Sequence, residues 1–151
     1  MSAVSHYSFD LQFQEHILAS FLADDKFFKE YADAVLKPAF FGDEVLRGVA
    51  EAVQGFYETE KELPTREALL EAVKVSIAPG RKLTEYQSCV ETIMEKVGMN
   101  TAYYQGKAVE FARVQLWNSY LNQGLILIGQ GDTEGVNRLV KLAFKEEGRL
   151  N

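Results

Sequence analysis

The sequence predicts an all-α chain, and three observations predict it. Apolar residues recur at three- and four-residue steps in seven successive segments; an Asp or Thr able to cap a helix precedes most of them; and no stretch alternates apolar and polar residues as a half-buried strand would. The expected arrangement is a small helical head over residues 1–80, an antiparallel helical hairpin over 81–131 and a short C-terminal helix over 132–151.

Asp10 can cap a first helix running to about Ala23, with Ile17, Leu18, Phe21 and Leu22 on its buried face. Asp24-Asp25 closes that helix and opens the next, where Phe27, Phe28, Tyr31, Val35 and Leu36 form a short aromatic-rich face. It stops before Lys37-Pro38, because the residue preceding a proline avoids the α region. Phe40-Phe41-Gly42 is a turn with two rings to bury, and Asp43 caps a third helix whose Val45, Leu46, Val49, Ala52, Val53, Phe56 and Tyr57 keep the helical period. Glu58 to Glu62 is a charged exit.

After Leu63-Pro64, Thr65 caps a fourth helix, with Leu69, Leu70, Val73 and Ile77 on its apolar side, until Pro79-Gly80 breaks it. Thr84 and Gln87 have the spacing of a capping box. Tyr86, Val90, Ile93, Met94 and Val97 then define a fifth helix that Gly98 can end. The dominant stretch follows. From Tyr103 to Ile128 no proline intervenes, which allows one helix of about 26 residues, about 39 Å long. Val109, Ala112, Leu116, Tyr120 and Leu127 make one apolar stripe on it, and Phe111, Val114, Leu121, Leu125 and Ile128 a second. A helix packed on one neighbour needs a single stripe, so the second asks for its own cover, from the preceding helices or from another copy of the chain. The short link between the fifth helix and this one predicts that those two form the antiparallel hairpin. Gly129-Gln130-Gly131 ends the long helix, and Asp132 caps a last one with Val136, Leu139, Val140, Ala143 and Phe144 on its apolar side.

Charge and composition narrow the function. The net charge of −6 is uneven: residues 1–80 hold 7 Lys/Arg against 14 Asp/Glu, whereas residues 81–151 hold 9 against 8. An acidic surface repels phosphate backbones, so the head is not expected to bind nucleic acid directly. No apolar run is long enough for a membrane span, the start Met1 to His6 lacks the features of a signal peptide, and a lone Cys89 on an apolar stripe reads as a buried thiol in a reducing compartment. A cytoplasmic protein without membrane contact is expected.

Chemistry is not in view. Pro79-Gly80-Arg81-Lys82 lacks the spacing and the Ser/Thr of a phosphate loop, and Gly129-Gln130-Gly131-Asp132 follows a helix instead of a strand. With only His6, His16 and Cys89, no zinc site is expected, and no cofactor or catalytic residue can be named. Asp24-Asp25 and Asp43-Glu44 stand at helix starts, where capping explains them. Arg138, Lys141 and Lys145 share one face of the last helix and read as a solvated surface. Trp117, on an apolar helix, reads as packing or interface.

Taken in order, these pieces resemble the N-terminal collar domain of the DnaB-like replicative DNA helicases. The resemblance is carried by Glu15 with Ile17-Leu18, Phe21-Leu22 before Asp24-Asp25, Phe27-Phe28, Leu36 with Lys37-Pro38-Ala39-Phe40-Phe41, the Val45/Leu46/Val49 helix, Pro64-Thr65 before Leu69-Leu70, Ala108 to Arg113, Gly131 to Glu134, and Leu139 to Ala143. It spans nearly the whole chain. Ala19 stands where many members carry glycine and Thr65 where many carry isoleucine-aspartate, so the likeness is to a divergent, phage-like member. It implies a domain that pairs through its hairpin, as a dimer or as three dimers in a ring above the motor, and that contacts primase or a helicase loader. It also implies a last helix that leads toward a linker, in a protein of the bacterial cytoplasm, or of the host cytoplasm if phage-encoded.

The ATP-hydrolysing domain of that 5'-3' helicase family is not within these residues, so the chain is expected neither to hydrolyse ATP nor to unwind DNA. Three readings follow: the collar of a longer helicase; a free-standing adaptor, loader or inhibitor that resembles the collar; or a small helical enzyme, against which stands the lack of any acid, base or nucleophile cluster. The expected interface residues are Val109, Phe111, Val114, Leu116, Trp117, Leu121, Leu125 and Ile128; Glu58, Glu60 and Glu62 either dock a basic partner or only cap helices and keep the head soluble.

Overall fold

The computed structural model describes residues 9–77 and 80–150, so the readings placed on His6 and Pro79 lie outside the described residues. Within them the chain is all-α: α1 Leu11–Leu22, α2 Asp25–Val35, a 3-10 turn Pro38–Phe40, α3 Glu44–Glu60, α4 Arg66–Ser76, α5 Leu83–Lys96, α6 Thr101–Gly129 and α7 Thr133–Gly148.

Five of the helix starts are built as their sequences dictate. The side chains of Asp10, Asp24, Asp43, Thr65 and Asp132 each accept a hydrogen bond from the backbone N–H three residues on, at 2.7, 3.1, 2.9, 3.1 and 2.8 Å. The capping box expected at Thr84 and Gln87 is not formed. The Glu85 N–H is taken by the Lys82 carbonyl, so α5 begins at Leu83 and Thr84 already lies inside its first turn.

The core is one apolar cluster. Ile17, Leu18 and Phe21 of α1, Leu36, Phe41, Leu46, Val49 and Val53 of the middle segment, Leu69 and Val73 of α4, Ile93 of α5 and Phe111 of α6 are fully buried in it. Both rings of Phe40-Phe41 are inside. Glutamines tie the irregular joints to this core: Gln14 donates to the Phe9 carbonyl at 2.8 Å and accepts from the Gly42 N–H at 3.0 Å, and Gln115 of α6 donates to the Phe40 carbonyl at 2.6 Å. Glu15 and Lys96, both mostly buried, pair at 2.9 Å and join α1 to the end of α5.

The hairpin is not the one the sequence predicts. α5 packs on α1, α3 and α4, and α6 packs on α1 and α7; α5 and α6 share α1 without lying along each other. The link between them bends twice through left-handed backbone, at Gly98 (φ 90°) and Asn100 (φ 51°), which sends α6 away from α5. The close antiparallel pair is α6 with α7, joined through Gly131 (φ 75°).

One close approach in the head calls for glycine. A Cβ on Gly48 of α3 would stand 2.7 Å from the Tyr86 ring, which is itself buried against α3. Gly48→Ala is expected to destabilise the fold by about 1–3 kcal/mol, despite the better helix propensity of alanine, because the ring has little room to retreat. Urea denaturation checks the sign.

Candidate interaction surfaces

At 29 residues α6 is about 43 Å long, and its buried residues all lie between Ala108 and Leu116. Its N-terminal half faces the core with Ala108, Phe111, Ala112 and Leu116, all buried. From Trp117 onward the apolar residues move round the helix: at 3.6 residues per turn, Leu125 and Ile128 lie on the side opposite Ala108 and Ala112. There Tyr120, Leu121, Gly124, Leu125 and Ile128 line an apolar groove of about 280 Å³ with Val136, Leu139, Val140 and Ala143 of α7. At Gly124 a Cβ would meet Leu139 of α7 at 3.8 Å, an ordinary contact that places the two helices side by side without requiring glycine. The groove's rim stays bare. Leu121 is 51% exposed, Leu125 39%, Ile128 59% and Phe144 64%.

The predicted interface set is therefore split. Leu121, Leu125 and Ile128 are open to a partner, Val109, Val114 and Trp117 are half-buried, and Phe111 and Leu116 belong to the chain's own core. Phe111 packs on the rings of Phe9, Phe41 and Phe13 at centroid distances of 5.1, 5.6 and 6.3 Å, and Leu116 is buried, so neither is open to another copy. Trp117 sits edge-on to Phe144 at 5.4 Å, and its indole N–H donates to the Glu147 carboxylate.

The far end of α7 is fastened back onto the head. Lys37 pairs with Glu146 at 2.9 Å, Arg149 with Asp33 at 3.0 Å, and Leu150 is buried in the core cluster. The Lys37 ammonium holds the Glu146 carboxyl below its ordinary value of 4.5. A depressed carboxyl contributes stability above its ordinary value and loses it as pH falls through the folded value. Acidification below pH 4.5 is thus expected to loosen the α7 end ahead of the core, read by the emission of Trp117, the single tryptophan. Lys37→Gln should remove that acid step.

The acidic head resolves into separate roles. Asp24 and Asp43 are caps, and the Phe27 N–H followed by the Gln105 amide holds the Asp24 carboxyl below its usual range. Glu58 and Glu60 lie on the last turn of α3 and Glu62 just beyond it, all exposed. That is the negative end of the helix dipole, where a carboxylate costs stability instead of adding it. Capping does not account for these three.

The thiol and the described histidine are both shifted by burial. Burial first, then the Glu15 and Asp43 carboxylates, push the Cys89 thiol up to about 12, so it stays protonated at neutral pH. His16 stacks on Tyr104 at 4.3 Å, and burial and then Lys96 hold its imidazole below the usual value. Among the described residues no three His, Cys, Asp or Glu side chains gather as a metal site, and no helix is long and apolar enough to cross a membrane. Gly129 to Asp132 is a helix end followed by a cap, as read, and Arg138, Lys141 and Lys145 are exposed on α7.

A second concave surface escaped the sequence reading: a shallow trough between α3 and α4, lined by Ala52, Phe56, Ala72 and Val75 with Glu51 and Glu71. The one signal for it is Val75, which falls off the apolar face set by Leu69 and Val73.

No protein-family model matches this sequence, and no curated protein or solved structure matches it either. The likeness to the helicase collar rests on the quoted residues alone.

Proposed function

We propose that this chain is an oligomerising, partner-docking domain of the DnaB-like helicase collar type, with no nucleotide chemistry within these residues. One observation carries the reading: the α6–α7 hairpin bears an apolar groove whose lining residues Leu121, Leu125 and Ile128, with Phe144 of α7 beside Trp117, are left exposed by the described residues. The rims of two such hairpins are self-complementary about a two-fold axis, since each offers both an aromatic knob and a groove. The pairing element is α6 with α7, in place of the α5–α6 pair expected from the sequence. Primase or a loader is the proposed further partner, drawn to the exposed Glu58, Glu60 and Glu62.

Sedimentation at micromolar concentration tests this. Dimers or larger rings are expected, and a fully folded monomer at every concentration would overturn the self-association. The encoding reading frame beyond Asn151 separates the two forms of the proposal. Continuation into a G-x-x-x-x-G-K-[ST] loop makes the chain the collar of a longer helicase; a stop makes it a free-standing adaptor, loader or inhibitor.

A further inference from the structure

The trough between α3 and α4 is lined by no residue of α6 or α7, and its volume of about 490 Å³ is larger than that of the hairpin groove. We propose that it receives a basic amphipathic helix from a partner protein, laid along α3 and α4 with its apolar stripe on the floor and its Lys or Arg side chains beside Glu51 and Glu71.

Two features of the floor are unexplained by the chain's own packing. Gly55 stands well inside α3, where glycine weakens a helix, yet a Cβ there would meet nothing within 4 Å. No neighbour within the described chain requires it to be so small. Val75 is 78% exposed although Leu69 and Val73 on the same helix are fully buried. A small residue with open space above it and a bare β-branched one across from it admit another backbone at close range, as helix-on-helix packing demands. The described chain exposes no strand edge that an extended peptide could join, so a helix seated in the trough is the fitting mode.

Charge selects the occupant. Glu51 and Glu71 line the trough, both are exposed, and neither forms an ion pair with a described residue. No lysine or arginine is among its described lining residues. Over residues 44–76 seven carboxylates face four basic side chains, so the field around the trough is negative. An acidic helix or a nucleic acid would be repelled and a basic helix steered in.

The test uses the full chain and a fluorescent synthetic helix of about 18 residues, five turns, with Leu and Ala on one face and Lys and Gln on the other. A second peptide carries Glu in place of Lys. The Lys peptide is expected to bind by anisotropy and to shift the amide signals of Gly55, Ala72 and Val75. Binding should weaken about tenfold with Glu51→Lys and Glu71→Lys combined, and by a similar factor for the Glu peptide. Gly55→Leu should melt no lower than the natural chain, because its side chain enters open space, while losing the peptide. The proposal is overturned by absence of binding, by shifts confined to the α6–α7 groove, or by indifference to charge reversal. It is equally overturned if the Gly55 and Val75 signals move with protein concentration alone, since a second copy would then be the occupant.

Discussion

Phe111→Ala is expected to lower the stability of the folded chain by about 3–5 kcal/mol, the range for removing a large buried aromatic side chain. Its ring is fully buried and packs on three others, one from the segment before α1, one from α1 and one from the turn after Pro38. Their separation in sequence makes Phe111 the point where α6 is joined to the head. The cavity left behind cannot be closed by one neighbour, because Phe9, Phe13 and Phe41 are held on different elements and Gln14 fixes the backbone of Phe9 and Gly42. Urea unfolding should show a lower midpoint at an unchanged slope. A loss below about 1 kcal/mol would mean that the ring cluster collapses around the gap and that α6 is held chiefly by its glutamine and cap contacts. Placing a charge at this position, which the sequence alone would offer as an interface test, would report on folding instead.

The fold was legible wherever its cause is local. Asp10, Asp24, Asp43, Thr65 and Asp132 cap helices because a short oxygen-bearing side chain reaches its own N–H three residues on, whatever the tertiary context. Thr84 failed because a competing backbone bond from Lys82 started α5 earlier, and nothing in a T-x-x-Q pattern reveals that competitor. On α6 both apolar stripes were visible, but the inward face draws Phe111 from one and Ala112 and Leu116 from the other. The helix changes its partner halfway along, from α1 to α7, so no single stripe predicts its cover. Chain order suggested α5 as that cover, whereas two residues of left-handed backbone at Gly98 and Asn100 redirect the chain. The α3–α4 trough was invisible for a different reason. Ala52 and Ala72 are unremarkable in a helix, a lone Gly55 in α3 does not by itself mark a surface, and the concavity exists only once the two helices lie side by side.

Under the proposed pairing of hairpins, Leu121→Glu and Ile128→Glu are expected to separate the copies while leaving each folded. Both side chains are more than half exposed in the single chain, so a carboxylate there stays in water and should change the melting of the monomer by no more than about 0.5 kcal/mol. In an apolar seam between two hairpins the same carboxylate loses its hydration and finds no cation. The groove's lining of Tyr120, Leu125, Leu139 and Val140 offers none, and the cost is several kcal/mol. Two-fold symmetry brings two such carboxylates into each dimer, which raises the dissociation constant by about a hundredfold or more. Sedimentation of the natural chain and both variants at matched concentration, with melting curves alongside, separates dissociation from unfolding. If the variants assemble as the natural chain does, the copies meet elsewhere and the bare rim serves a different protein. If Leu121→Glu dissociates the assembly and Ile128→Glu does not, the seam lies nearer the head than the hairpin tip, where Trp117 and Phe144 would form its centre.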